Sequence, residues 1–342
     1  MCRPVIPLQA VPSAERFLLI GAIMPESPLE IVDAEFRKIL KVLNGPAYTP
    51  VHQLTPAEAR AQTERLFQGP PVIAVGSQRD FTAETPLGEI RCRLYHPRPG
   101  TRLPLLVYYH GGGWVLGDLD SIHGVTASLA ARSGCAVLSV DYRLAPEHPF
   151  PAAVDDALAA LRWAAENGEQ LEIDPERIAV GGDSAGGNLA AVVSILARDA
   201  GGPAVQFQLL IYPATDAACH TRSMDQFAEG LVLEKKDMLW FWGHYCAEPA
   251  LRESDVRASP LRVADASGLP PAYLLLAELD PLIDEGQAYA ERLEAAGVAV
   301  NCRRVPGAIH AFLGFWQVSE LADRELTLAA EAVAAALGGD AA

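Results

Sequence analysis

The stretch Gly182-Asp183-Ser184-Ala185-Gly186-Gly187 decides the fold of this chain. An apolar run precedes it at residues 178–180, and a run of small residues follows at 188–197. A strand, a tight glycine-rich turn and a helix in this order are typical of a turn that holds a reactive serine on a strained backbone. The flanking residues must be small because the strand and the helix approach closely. The Ser184 hydroxyl would then lie near the helix N-terminus, where free N–H groups favour negative charge.

The overall composition is that of an ordinary globular protein. The chain has 342 residues, of which 50% are hydrophobic and 20% charged, enough for one large domain or two smaller ones. The formal net charge of −16 argues against nucleic acid, whose binders present basic surfaces, and against anionic membrane surfaces. We therefore expect neither nucleic acid nor a membrane as a partner.

The cysteines and the N-terminus bear on the cellular compartment. Six cysteines are scattered without C-x-x-C spacing, which indicates neither a zinc site nor a disulfide framework and fits a reducing cytosol. Residues 17–23 are apolar but too few for a signal peptide. No window reaches the roughly 18 apolar residues of a membrane span. We predict a soluble, cytoplasmic protein without stable membrane association.

Strand and helix patterns alternate along most of the chain. Two helices, at 27–43 and 55–67, follow an irregular proline-containing arm at 1–23 and precede any strong strand. The predicted strands lie at 72–81, 88–95, 103–109, 136–142, 178–180, 207–212, 272–277 and 300–305. The later helices are predicted at 122–132, 152–166, 188–198, 236–246, 285–296 and 319–337. This alternation predicts an α/β fold with a mostly parallel central sheet flanked by helices.

His310 is the candidate base for the serine. A serine hydroxyl is a weak nucleophile alone and needs a neighbouring base, which in turn needs an orienting acid. Among eight histidines, His310 follows a predicted buried strand in a loop of small residues, 306–309. In an open parallel sheet, the loops after the strand C-termini carry the site.

The acid is expected between serine and histidine in the chain, because Ser…Asp/Glu…His is the order of this arrangement. Asp280 follows the predicted strand 272–277 and is the favoured candidate. Glu278 is so close to the strand end that it is less able to reach across. Asp284 and Glu285 resemble the acidic first turn of the next helix, and Asp284 stays the main alternative.

Acyl transfer also needs donors for an oxyanion. Gly111-Gly112-Gly113 follow the strand 103–109, and successive glycines let backbone N–H groups point into one site. The N–H of Ala185, directly after the serine, would be a further donor. A hinge or a phosphate loop is the alternative for the glycine run, but neither phosphate-loop pattern is present.

Five separated motifs occur in one order: HGGGW at 110–114, DYRLAPEHPFPAA at 141–153, GDSAGGNLA at 182–190, DPLIDEG at 280–286 and IHAF at 309–312. Together they resemble the hormone-sensitive-lipase-like family of esterases, particularly its bacterial members, over residues 70–337. The resemblance implies an α/β-hydrolase fold and a serine carboxylesterase acting on short- to medium-chain carboxylic esters. It implies a triad of Ser184, Asp280 and His310, oxyanion donors at Gly112, Gly113 and Ala185, and no metal or cofactor.

The family places a helical cap over its site. This implies an N-terminal arm with cap helices at 1–68 and a catalytic domain at 69–342, with a second cap segment at about 213–250.

Asp183 would support the site without touching substrate. Ala311 and Leu279 depart from the family pattern, in which glycine is common at the first position and an aromatic or bulky residue at the second. The expected apolar walls of the substrate pocket are Trp114, Trp240, Phe241, Phe312 and Leu313.

Three other enzyme activities and one non-catalytic function remain as alternatives. An amidase, a deacetylase or a lipase would use the same residues. A non-catalytic ligand-binding homologue, such as the plant gibberellin receptors that lack the triad histidine, shares the fold but not the chemistry. The expected partner is a small-molecule ester, and an exposed edge at 300–305 leaves room for a homodimer.

Overall fold

The computed structural model describes residues 28–46, 48–66 and 73–339. The predicted arm at 1–23, the start of the first predicted helix, the end of the second at Phe67 and the start of the first predicted strand at Val72 lie outside these residues. Within the described residues the chain forms one eight-stranded sheet with helices on both faces. The predicted α/β fold is therefore confirmed.

The sheet is mostly parallel. Its strands are β1 Ser77–Thr85, β2 Gly88–His96, β3 Leu103–Tyr109, β4 Ala136–Asp141, β5 Ile173–Asp183, β6 Phe207–Ile211, β7 Ala272–Leu279 and β8 Val300–Ile309. They lie in the order β1-β2-β4-β3-β5-β6-β7-β8. Strand β2 runs antiparallel to both β1 and β4, and all other neighbours are parallel. Strand β5 therefore lies at the centre, and β8 forms one edge.

Helices cover the two faces of the sheet. The α-helices of the described residues are α1 Ala34–Leu43, α2 Pro56–Leu66, α3 His123–Ser133, α4 Ala152–Glu166, α5 Gly168–Leu171, α6 Ala185–Asp199, α7 Arg222–Gln226, α8 Lys235–Tyr245, α9 Pro249–Ser254, α10 Ile283–Ala295 and α11 Glu320–Leu337. None of them is both long enough and apolar enough to cross a membrane.

The core is divided by the sheet into two apolar clusters. Side chains alternate along β3, so Leu105 and Val107 join one cluster and Leu106 and Tyr108 join the other. Helices α4, α6 and α10 pack into the first cluster, and α3 and α11 into the second. Both faces of the central strands are thus buried, as in parallel sheets generally.

The ends of several elements differ from the predicted ones. Strand β5 extends from Ile173 to Asp183, because residues before and after the apolar run 178–180 also pair with β3. Strand β1 runs from Ser77 to Thr85. A two-residue turn pairs Thr85 with Gly88 and sets the register, and in this register Ser77 pairs with His96 at the other end of β2. Helix α1 begins only at Ala34, because the Asp33 side chain caps it by accepting the N–H of Glu35 at 2.8 Å.

Two segments outside the sheet contact each other. The 3₁₀ turn Val51–Gln53 follows α1, and α8 lies in the segment 213–250. The Asp237 carboxylate of α8 accepts hydrogen bonds from the His52 backbone N at 3.2 Å and ring Nδ1 at 2.7 Å. The Asn44 side chain donates to the Gly230 carbonyl at 3.1 Å. These contacts join the chain around α1 to the segment that contains α8.

Candidate active site

The turn at Ser184 has the strained backbone that the sequence predicts. Ser184 has φ +55° and ψ −117° and lies between β5 and α6, a region that non-glycine residues rarely adopt. A Cβ on Gly186 would lie 1.9 Å from the Tyr109 carbonyl oxygen, and one on Gly182 would lie 2.4 Å from Gly186. Only glycine fits at these two positions, because the strand and the helix are in backbone contact.

Three predicted residues form one hydrogen-bonded chain. The Ser184 Oγ lies 2.9 Å from His310 Nε2, and His310 Nδ1 lies 2.7 Å from Asp280 Oδ2. The Asp280 and His310 side chains are almost fully buried. A carboxylate only accepts hydrogen bonds, so Nδ1 carries the proton, and Nε2 of the neutral ring is left to accept the proton of the serine.

The competing acids lie elsewhere. Glu278 accepts the Gly307 N–H at 2.9 Å and pairs with Arg304 at 3.1 Å. Asp284 accepts the Ser223 N–H at 2.8 Å. Glu285 is buried, accepts the Thr215 N–H at 2.7 Å, and burial raises its pKa well above the ordinary value. Of these four acids, Asp280 is the one that hydrogen-bonds to the His310 ring.

The glycine run forms a tight loop after β3. Gly112 and Gly113 have φ +108° and +60°, which glycine adopts without strain. The Gly112 carbonyl accepts the N–H groups of Val115 at 3.1 Å and Leu116 at 2.8 Å. Gly112, Gly113, Ser184 and Ala185 all line one cavity. The glycine loop and the serine turn therefore border the same cavity.

Asp183 connects the serine turn to the glycine loop. Its Oδ1 accepts the Gly111 N–H at 3.0 Å and the Tyr108 hydroxyl at 2.9 Å. Desolvation raises the pKa of Asp183 to about 6, against the opposing effect of these two hydrogen bonds. The carboxylate therefore anchors the start of the glycine loop to the serine turn.

His110 fixes the start of the same loop. Burial lowers the pKa of His110 to about 4, so its ring is neutral near pH 7. The ring stacks on Tyr142 with centroids 4.3 Å apart, and Nδ1 lies 2.7 Å from the Gly111 carbonyl, to which it donates. The Tyr142 hydroxyl donates to the His110 carbonyl at 2.7 Å. These contacts leave the loop little freedom.

A cavity of about 490 Å³ opens at the serine. Trp114 and Phe241 line it as expected. Trp240, Phe312 and Leu313 do not, which corrects that part of the expectation. Phe312 and Leu313 are buried in the core between α1 and the sheet, with Phe312 6.0 Å from the Phe36 ring. Trp240 lies on another face of α8, against His244.

Sequence reasoning missed most of the cavity wall. Helix α1 and the segment before α8 supply apolar side chains, and a second group comes from the start of α3 and the turn after His310. The missed residues include Ile39, Val42, Leu43, Val51, Val232, Leu233, Met238, Ile122, Phe315 and Trp316. Tyr212, whose ring lies 4.9 Å from that of His310, was also missed. Its position directly after β6 was the one available signal.

One group of side chains has the spacing of a metal site. Ligand atoms of His52, Glu234 and Asp237 lie within 4.8 Å of one another. Asp237 already accepts hydrogen bonds from His52 and from the Glu234 N–H at 3.0 Å. Asp237 and Glu234 form the capping box of α8. These hydrogen bonds account for the cluster as part of the helix terminus.

Asp183→Asn tests the protonation of this carboxyl. In the wild type the folded state raises the pKa from 3.8 to about 6, so the contribution of Asp183 to stability falls as the pH rises through that interval. Asparagine can still accept both hydrogen bonds but does not titrate. We expect the unfolding free energy of the variant, relative to wild type, to rise between about pH 4 and pH 7 by up to ~3 kcal/mol. Urea unfolding at several pH values measures this, and a pH-independent difference would contradict it.

Comparisons with known proteins agree with this fold. A family model described as an alpha/beta hydrolase fold matches residues 106–314. The carboxylic ester hydrolase LipN of Mycobacterium tuberculosis is 49% identical over 245 residues, which are 70% of this chain and 65% of LipN. The ethyl acetate hydrolase of Pseudomonas putida is 42% identical over 296 residues, 83% of this chain and 91% of that protein.

A solved structure shows the same architecture. The hyperthermophilic esterase of Pyrobaculum calidifontis superposes with a TM-score of 0.85 at 40% identity, covering 89% of this chain and 98% of that one. The chain has an α/β-hydrolase fold and belongs to the hormone-sensitive-lipase-like family of the α/β-hydrolases. The family predicted from the five motifs is thereby confirmed.

Proposed function

We propose that this protein is a serine carboxylesterase that hydrolyses small carboxylic esters through an acyl-enzyme on Ser184. The observation that carries the proposal is the hydrogen-bonded chain from Ser184 through His310 to Asp280. Ser184 and His310 line the same cavity as Gly112, Gly113 and Ala185. The names of the relatives, carboxylic ester hydrolase and ethyl acetate hydrolase among them, support the same reaction.

The first half-reaction acylates the enzyme. The Ser184 Oγ attacks the ester carbonyl carbon while His310 Nε2 takes its proton, and the carbonyl electron pair moves to oxygen. The N–H groups of Gly112, Gly113 and Ala185 stabilise that oxyanion. The intermediate then collapses, the bond from carbon to the alcohol oxygen breaks, and His310 gives its proton to the leaving alcohol. Asp280 stabilises the imidazolium and holds the ring in the correct tautomer.

The second half-reaction uses water in place of the serine. His310 takes a proton from water, the hydroxide attacks the acyl carbon, and the same N–H groups hold the second oxyanion. When this intermediate collapses, the bond to Ser184 Oγ breaks and His310 returns the proton to the serine. The carboxylic acid leaves, and the enzyme is restored without a metal, an oxidant or a reductant.

The cavity favours short- to medium-chain esters. Its apolar walls come mainly from two regions, around Ile39 to Leu43 and around Val232 to Phe241, and its volume of about 490 Å³ suits a small ligand rather than a triglyceride. We propose that these regions are the cap of the family. The described N-terminal helices and the segment 213–250 thus cover a catalytic domain beginning near residue 69.

A series of p-nitrophenyl esters from acetate to palmitate, paired with butyryl anilide, tests the reaction class. We expect kcat/KM to be highest for chains of about two to eight carbons, because longer chains exceed the cavity. The anilide should react far more slowly than the butyrate ester. Faster cleavage of the anilide would favour an amidase, and a maximum at palmitate would favour a lipase.

The pH dependence follows from the base. A general base must be unprotonated to accept the serine proton, and acid protonates such a base. We expect kcat/KM for p-nitrophenyl butyrate to be lower on the acidic side of neutrality than on the alkaline side. The substrate does not ionise on either side of neutrality, so the decline belongs to the enzyme. A flat profile would contradict His310 as the base.

We also propose a cytoplasmic location and retain the homodimer as a prediction. Among the described residues, Cys92, Cys219, Cys246 and Cys302 form no disulfide, which suits a reducing compartment. Strand β8 lies at the edge of the sheet, where a second copy could pair.

A further inference from the structure

Three aromatic rings pack together directly behind the glycine loop. Trp114, the residue after Gly113, stacks on Tyr245 with ring centroids 4.4 Å apart and planes inclined by 4°. The Trp242 ring also packs against Trp114, with ring centroids 4.4 Å apart. All three side chains are fully buried. Trp242 and Tyr245 belong to α8, which contributes nothing to the sheet.

The backbone at Trp114 is strained. Its φ is +60°, directly after Gly112 and Gly113, whose φ angles are also positive. Glycine adopts this region freely, but a residue as large as tryptophan persists there only where its surroundings over-determine the conformation. The rings of Trp242 and Tyr245 supply such surroundings.

A third side chain of α8 reaches the loop itself. A Cβ placed on Gly113 would lie 2.1 Å from the Phe241 ring, so this ring packs against the Gly113 backbone. The sheet side of the loop has separate anchors, the hydrogen bonds of Gly111 to Asp183 and His110. The loop is therefore fixed by the sheet at its start and by α8 at its end.

Packing, rather than hydrogen bonding, holds the aromatic stack. Trp114 Nε1, Trp242 Nε1 and the Tyr245 hydroxyl have no hydrogen-bond partner among the described residues. The Trp114 carbonyl accepts the Ala145 N–H at 2.9 Å, which fixes the backbone but not the ring. The ring orientation of Trp114 thus depends on the shape of its two neighbours.

We propose that Trp242 and Tyr245 are positioning residues of the oxyanion hole. By clamping the Trp114 ring they hold the strained turn in which the N–H groups of Gly112 and Gly113 face the oxyanion. This inference rests on the proposed function, in which these glycines are the oxyanion donors. It gives α8 a part in the reaction beyond lining the cavity.

Tyr245→Leu removes the stacked ring, and Tyr245→Phe removes only the unpartnered hydroxyl. Misplaced donors weaken transition-state stabilisation more than substrate binding, so we expect Tyr245→Leu to lower kcat about 10- to 100-fold with little change in KM. Tyr245→Phe should retain wild-type kcat. The matched control is Tyr289→Leu, which also removes a buried ring with an unpartnered hydroxyl but lies in α10, away from the loop. It should lose stability without the loss in kcat.

A second readout does not depend on activity. With selective ¹⁵N labelling of glycine, Tyr245→Leu should move the amide resonances of Gly112 and Gly113, whereas Tyr289→Leu should not. Trp242→Leu tests the clamp from its other face if Tyr245→Leu does not fold. Unchanged Gly113 resonances in a folded Tyr245→Leu or Trp242→Leu variant would overturn the proposal that these two residues position the glycine loop, whatever the enzyme hydrolyses. Shifted resonances together with a wild type that has no esterase activity would support the positioning role and refute the proposed function.

Discussion

Replacing Ser184 by alanine is expected to lower kcat for p-nitrophenyl butyrate by about 10⁴- to 10⁶-fold. The hydroxyl is the nucleophile of the proposed mechanism, and the Ser184–His310 hydrogen bond of 2.9 Å places it beside its base. Alanine differs only by that oxygen, so the strained turn and the cavity should be retained. Initial rates of the purified variant, corrected for the buffer reaction, measure the loss.

Ser121→Ala is the matched control. Ser121 lines the same cavity, but its hydroxyl donates to the Asp118 carbonyl at 2.9 Å within a local turn. Its removal should leave kcat close to the wild-type value. Equal activity of Ser184→Ala and wild type would refute an acyl-enzyme on Ser184 and favour the non-catalytic ligand-binding homologue or a contaminating hydrolase.

Asp280→Asn is expected to lower kcat by about 10⁴-fold. Asp280 Oδ2 accepts the proton on His310 Nδ1 at 2.7 Å, and an amide at this position favours the wrong tautomer of the ring. The imidazolium that forms during the reaction also loses its negative partner. Both effects act on the transition state, so KM should change little.

Asp284→Asn is the paired control, four residues further along the chain. Its carboxylate accepts the Ser223 N–H at 2.8 Å and is exposed, and asparagine can accept the same hydrogen bond. We expect activity near that of the wild type. If Asp284→Asn were the inactive variant and Asp280→Asn the active one, the assignment of the acid would be wrong.

Much of the site could be predicted because its chemistry depends on short motifs at strand ends. The run Gly182 to Gly187 predicted a strand, a strained turn and a helix, since only small residues allow the contact of Gly186 with the Tyr109 carbonyl. His310 and Asp280 were predictable because they directly follow the strands β8 and β7. Parallel strands bring these loops to one edge of the sheet without further information.

The cavity wall could not be predicted in the same way. Aromatic residues near the site are equally suited to core packing, and only the tertiary structure decides which face of a helix meets the cavity. Phe312 follows His310 by two residues, yet the left-handed backbone of Ala311, φ +59°, is followed by a 3₁₀ turn with Phe312 in the core. On α8, Phe241 faces the cavity and its neighbour Trp240 does not.

Backbone strain was only partly visible in the sequence. The positive φ of Ser184 is implied by its motif, but that of Trp114 is not. A run of glycines followed by tryptophan does not indicate at which residue the turn ends. The partners that stabilise it, Trp242 and Tyr245, are more than 100 residues away in the chain. Contacts over such a separation emerge only from the packed fold.

A structure of the enzyme inactivated by a p-nitrophenyl alkylphosphonate tests the central claim most directly. The phosphonate mimics the tetrahedral intermediate, with a phosphoryl oxygen in place of the oxyanion. The account predicts a covalent bond from phosphorus to Ser184 Oγ, with the phosphoryl oxygen within hydrogen-bond distance of the N–H groups of Gly112, Gly113 and Ala185. A phosphonate bound to another residue, or one on Ser184 with its phosphoryl oxygen turned away from these donors, would contradict it.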